Sequence, residues 1–227
     1  MSFPLHPVPQ LSIAQQLLSL LVPVRIRTGT SVFHPVLELY RYRGRWQLAT
    51  EDALYSDGAI YSPLRKAFGA LGDQLAKVET VLVLGAGLGR AVYVLERVSL
   101  RPRITLVDLD EQVLQWAIET LEEADHADHV EVVCEDASQY VLLDTATYDL
   151  LIIDLFRGRV VPDFATSVEF LKQCRHRLSS SGILVFNYIV NDKDAWKHVK
   201  TVLDTVFSSH RIIRHGINRI VLVESAP

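Results

Sequence analysis

The chain reads as an α/β protein in which a mostly parallel sheet is flanked by helices. A small N-terminal β cap precedes it and a C-terminal antiparallel hairpin closes it. Three observations lead there. From residue 75 onward, short and almost wholly apolar runs alternate with amphipathic stretches, the pattern of strands buried on both faces between crossover helices. Before residue 75 the pattern differs: Val36–Arg43 alternates with period two, and the elements around it are short. After residue 209 two apolar runs follow each other with only a turn at Gly216 between them, so the last strand must run antiparallel.

The change of period predicts two parts, a helix and hairpin cap over 1–74 and a larger α/β domain over 75–227. In the first, Ile13–Leu21 is expected as a short helix, and Val36–Arg43 alternates as a half-buried strand. Gly44 turns the chain into Arg45–Leu48, and a further short strand is expected near Ala53–Ser56. Ser62-Pro63 supplies the cap and first residue of a helix running to about Leu75. The strands of the second part are Thr80–Leu84, Arg103–Val107, His129–Cys134, Tyr148–Ile153 and Gly182–Phe186, then His210–His215 and Asn218–Glu224. Helices are expected at Arg90–Val98, Glu111–Ala124, Phe164–Leu178 and Asp194–Phe207.

With 227 residues, 49% of them hydrophobic and 22% charged, the chain can bury a full core and is neither disordered nor fibrous. A net charge of -4 disfavours a nucleic-acid grip as the main task. Two cysteines rule out a disulfide framework, and eight scattered histidines without ligand spacing give no metal site. No run is apolar enough to span a bilayer and the start lacks signal-peptide character, so the expectation is a cytoplasmic protein. Hydrolase elbows and phosphate-loop lysines are missing as well.

Chemistry concentrates after the first strand of the larger part, in Leu84-Gly85-Ala86-Gly87-Leu88-Gly89-Arg90. Glycines there allow close backbone approach to a ligand. Asp108 ends the next strand, where a carboxylate can accept both hydroxyls of a ribose. The dinucleotide pattern wants a glycine where Arg90 stands, so a ligand without a pyrophosphate is expected. Glu135-Asp136-Ala137 follows the third strand, and Asp154 follows Tyr148-Asp149 and the fourth. Asp136 reads equally as a helix cap, and Asp154 also as an exposed cap.

Gly85-x-Gly87-x-Gly89 followed by Asp108 resembles the first two motifs of the class I S-adenosylmethionine-dependent methyltransferase superfamily. Over roughly residues 35–227 the order is similar to a narrower group, the spermidine synthase-like aminopropyltransferases. That group carries a β cap, an Asp-Glu-x-x-Tyr-x-Glu segment, a glycine loop, a ribose acid, an Asp-Ala pair for adenine and an acidic gate loop. Here Asp57 and Tyr61 match the first segment, while Gly58 and Pro63 replace its other acids. The gate loop reads Asp154-Leu155-Phe156-Arg157 and then Arg159, where the group has a second aspartate.

The resemblance implies a Rossmann-like methyltransferase fold, a homodimer, and a cofactor that is S-adenosylmethionine or its decarboxylated form. Gly85, Ala86, Gly87, Gly89, Asp108, Leu109, Asp136, Ala137 and Asp154 would hold it, and Asp154 and Tyr61 would be catalytic. Arginines repel a polycation, so Arg157 and Arg159 make an anionic or neutral small-molecule acceptor, and hence methyl transfer, the first expectation. Pairing of these arginines with Asp163 and Glu169, or plain solvation, is the competing reading. Aminopropyl transfer to a diamine is the alternative, and a non-catalytic nucleoside-binding module the third reading. Tyr40, Tyr42 and Trp46 interleaved with Arg41, Arg43 and Arg45 could stack on RNA, but packing against the main domain or a partner subunit is favoured.

Overall fold

The computed structural model describes Val8 and residues 11–51, 54–57 and 62–225, with backbone alone at 54–57 and 62. It opens with helix α1 (Ile13–Leu21), started by a capping box in which Ser12 and Gln15 bond each other's backbone. Strands β1 (Val24–Gly29), β2 (Leu37–Tyr42), β3 (Arg45–Thr50) and β4 (Leu54–Asp57) form an antiparallel sheet in chain order. The cap is thus four-stranded rather than a hairpin. Strand β1 escaped the sequence reading because Arg25 and Arg27 break its apolar run and Pro23 precedes it.

Helix α2 (Ser62–Leu71) leads by a 3-10 turn into β5 (Thr80–Leu84). There follow α3 (Arg90–Glu96), β6 (Arg103–Asp108), α4 (Glu111–Glu123), β7 (Val130–Cys134), α5 (Ala137–Leu143) and β8 (Tyr148–Ile153). The chain closes with α6 (Val168–His176), β9 (Leu178–Ile189), α7 (Lys193–Val206), β10 (Arg211–His215) and β11 (Asn218–Glu224). The seven strands β5–β11 run in the order β10-β11-β9-β8-β5-β6-β7, and β11 is antiparallel to both of its neighbours. From β5 the chain steps first to β6 and β7, then returns to the other side for β8 and β9. This reversal opens a crevice at the carboxyl ends of β5 and β8, where open α/β sheets bind ligands.

Alternation along each strand feeds two cores. Leu82, Leu84, Leu151 and Ile153 pack with Val141 of α5, Phe170 and Leu171 of α6, and Val199 and Leu203 of α7. Val81, Val83, Leu150 and Ile152 face Leu64 and Phe68 of α2, Val92 and Leu95 of α3, and Leu114 of α4. A third cluster fastens the cap: Leu37, Leu39, Trp46 and Leu48 meet Leu88, Val113 and Trp116.

The starts of α6 and β9 moved for local reasons. Helix α6 begins at Val168 because Ser167 caps it by accepting the Phe170 N–H, and Asp163–Thr166 forms a separate 3-10 turn. Strand β9 begins before Gly182, whose missing side chain lets the chain pass the Tyr148 carbonyl; a Cβ there would lie 2.9 Å from that oxygen. No described helix is long and apolar enough to cross a membrane.

Candidate active site

The order β8-β5-β6-β7 sets Asp154, the glycine loop, Asp108 and Asp136 side by side along one sheet edge. Backbone hydrogen bonds lace these ends together: the Asp154 N–H donates to Leu84, the Gly85 N–H to Val107 and the Glu135 N–H to Asp108, at 2.8, 2.9 and 3.1 Å. Gly85 has φ +92°, and a Cβ on it would fall 2.8 Å from the carbonyl carbon of Asp154, so the close join of β5 to the β8 end demands glycine. Gly87 has φ +49°, and a Cβ there would meet nothing, which leaves open space above the loop. Gly89 caps α3, and Arg90, in the position a dinucleotide loop reserves for glycine, is buried.

Asp108 points back at the loop. Its Oδ2 accepts the Ala86 N–H at 2.9 Å and its Oδ1 the Asp110 N–H at 3.1 Å. Burial pushes its carboxyl above the usual range, although these backbone donors pull the other way. Leu109 is half-buried beside it, and its carbonyl lies 3.7 Å from the Cys134 sulfur. The Cys134 thiol is itself pushed up, first by burial and then by the charges of Glu111, Asp108, Asp110 and Glu135. The β6 and β7 ends therefore form an acidic rim.

Asp136 caps α5: Oδ1 accepts the N–H groups of Ser138 and Gln139, at 2.8 and 3.3 Å, and the Ser138 hydroxyl. Ala137, the first residue of α5, is buried. Asp154 is half-buried, and its Oδ1 accepts the Asn187 amide at 2.9 Å. Asn187, fully buried on β9, in turn accepts the Asn218 amide of β11 at 2.9 Å. This Asn218–Asn187–Asp154 chain was not foreseen, because an asparagine inside an apolar strand carries no local motif. Tyr61 and Gly58 lie outside the described residues.

The gate loop is a tight turn: Arg157 and Val160 bond each other's backbones around Gly158, at φ +60°. Arg157 and Arg159 are both exposed, and among the described residues no ion pair joins them to Asp163 or Glu169. The interleaved hairpin also resolves: Trp46 is buried against α4, as packing required.

Fold and edge together define a Rossmann-like methyltransferase fold with a small antiparallel cap. The spermine/spermidine synthase domain model matches residues 68–223, and the chain belongs to that family. It is 28% identical over 130 residues to the polyamine aminopropyltransferase of Neisseria meningitidis serogroup A, covering 55% of this chain and 49% of the relative. To that of Vibrio vulnificus it is 28% identical over 152 residues, covering 64% and 50%. The chain thus spans about half the length of these curated relatives. Among solved structures, spermidine synthase from Thermotoga maritima superposes with TM-score 0.69 at 16% identity, over 89% of this chain and 73% of that one. Human methyltransferase-like protein 13, in complex with SAH, gives 0.61 at 20%, over 73% and 83%. The solved structures bear on the fold alone, while the family model and the curated relatives favour aminopropyl transfer, the alternative drawn from the sequence, over methyl transfer.

Proposed function

We propose that the protein is an aminopropyltransferase that takes decarboxylated S-adenosylmethionine in the β5–β8 crevice and transfers its aminopropyl group to a diamine. The observation that carries this reading is the acidic edge itself. Asp108, Asp136 and Asp154 stand along it, and the carboxylates of Asp110, Glu111 and Glu135 border it. A nucleoside with a sulfonium and an ammonium group suits that edge, whereas the carboxylate of S-adenosylmethionine would be repelled by it. The residues fit the ligand: open space above Gly87 admits it, Asp108 can accept the ribose hydroxyls, and Asp136 keeps Oδ2 for the adenine amino group.

The bound nucleoside supplies an electrophilic carbon on a sulfonium leaving group. The acceptor nitrogen forms a C–N bond as the C–S bond breaks, the electron pair goes to sulfur, and the nitrogen must lose a proton. Asp154, steadied by Asn187, accepts that proton or orients the N–H. Alignment and exclusion of water do the remaining work. Tyr61, outside the described residues, keeps in this reading the catalytic role that the resemblance implies. The exposed arginines of the gate loop no longer argue against a diamine, because solvent screens charges in that position. A cytoplasmic homodimer belongs to the same reading.

Calorimetric titration with decarboxylated S-adenosylmethionine, S-adenosylmethionine, methylthioadenosine and NAD tests the assignment. The decarboxylated form should bind at least about tenfold more tightly than S-adenosylmethionine, and NAD not at all. Tighter binding of S-adenosylmethionine would return the reading to methyl transfer.

A further inference from the structure

A second concavity, of about 530 Å³, lies between the β2–β3 turn of the cap and the flank of α3 and α4. Its lining includes none of Gly85, Asp108, Asp136 or Asp154. Arg41, Arg43, Arg45, Arg90 and Arg97 converge on it against two carboxylates, Glu96 and Glu123. Both acids are already engaged. Glu123 takes Arg41 at 3.1 Å and the Trp46 indole N–H, and Glu96 takes Arg101 at 3.0 Å and faces His126 at 3.4 Å. Among the described residues, Arg43, Arg45 and Arg97 pair with no carboxylate. A chain of net charge -4 therefore gathers uncompensated positive charge in one cleft, where the field of the guanidinium groups adds up.

We infer that this cleft binds a compact anion bearing two or three linked phosphates. Guanidinium forks match phosphate oxygens in pairs, and the volume lies within the range of small-molecule sites. Base stacking contributes little, because Arg41 covers the Trp46 ring at 4.6 Å and the Tyr93 hydroxyl is committed to the Thr120 carbonyl at 2.8 Å. The phosphate chain alone should carry recognition, so tripolyphosphate should bind as well as a nucleoside triphosphate. RNA is the less suitable occupant, since it asks for a long basic stripe and open aromatic faces.

The test is calorimetric titration of the full chain with tripolyphosphate, ATP and sulfate at constant ionic strength. Three proteins are compared: wild type, R43A/R45A/R97A, and K172A/K197A/K200A, which removes equal charge from exposed sites elsewhere. Unchanged melting temperatures establish that both variants fold. Saturable one-to-one binding of tripolyphosphate, weakened at least about tenfold in the arginine variant and unaltered in the lysine variant, is the expected result. Absence of saturable binding overturns the inference, as does equal weakening in both variants. So does displacement by methylthioadenosine, which would put the anion in the nucleoside crevice, or stronger competition by a single-stranded RNA 12-mer.

Discussion

Asp108 holds its charge in a place where burial disfavours it, and only backbone N–H groups offset that penalty. Its folded pKa lies above the unfolded value of about 3.9, so between the two the native state binds more protons and stability falls as pH rises through that window. In the proposed ribose role, ligand binding has the opposite sign, because ribose hydroxyls need the ionised carboxylate. Methylthioadenosine affinity should therefore weaken on acidification while the pH is still above the ordinary carboxylate range, and an Asp108→Asn variant should show no such dependence by calorimetry. Asp108→Ala should lose nucleoside binding, since two charge-assisted hydrogen bonds contribute roughly 1.5–3 kcal/mol each. Circular dichroism should show its fold retained. The place of Asp108, at the end of β6 and facing the glycine loop, was legible because a strand following that loop ends there. Asn187 was not, since its meaning arises only when β8, β9 and β11 are adjacent.

In the proposed reaction, turnover depends on the end of β8. Asn187→Ala should lower kcat at least about tenfold with little change in nucleoside KM, because Asp154 loses its orienting donor. The same change strands the Asn218 amide, at a cost of about 1–3 kcal/mol in urea denaturation. The gate loop should behave differently. Arg157→Asp is expected to alter diamine affinity less than tenfold, since exposed charges are worth about 0–1 kcal/mol. A larger gain would restore the arginines as determinants of the acceptor. Elements with one strong period were readable, as with β5 to β8, where apolar runs are bounded by turns. Strand β1 and the start of β9 were not, because alternating arginines and a shift of register around Gly182 disguise extended backbone whose pairing is decided by neighbouring strands.

At the scale of the molecule, the cap is fixed to the larger sheet's helices by the third core cluster and by polar ties. Arg27 reaches the fully buried Glu119 at 2.7 Å, and the Ser31 hydroxyl donates to Asp110, next to the acidic rim. Removing one partner leaves Glu119 buried without its cation, so Arg27→Ala should cost up to about 3–5 kcal/mol, and R27M/E119L much less. Urea denaturation of the two variants decides between these values. That an antiparallel sheet precedes a mostly parallel one could be read from the change of hydrophobic period. The way the cap docks on α4 could not, because it joins residues as far apart as Arg27 and Glu119. The central claim is aminopropyl transfer, and product analysis tests it most directly. The full chain is incubated with decarboxylated S-adenosylmethionine, S-adenosylmethionine and putrescine together, and the products are identified by mass spectrometry. Equal amounts of spermidine and methylthioadenosine, both lost in Asp154→Asn, are the result expected. Formation of S-adenosylhomocysteine with a methylated acceptor, or no turnover of either nucleoside by a protein that binds them, would contradict it.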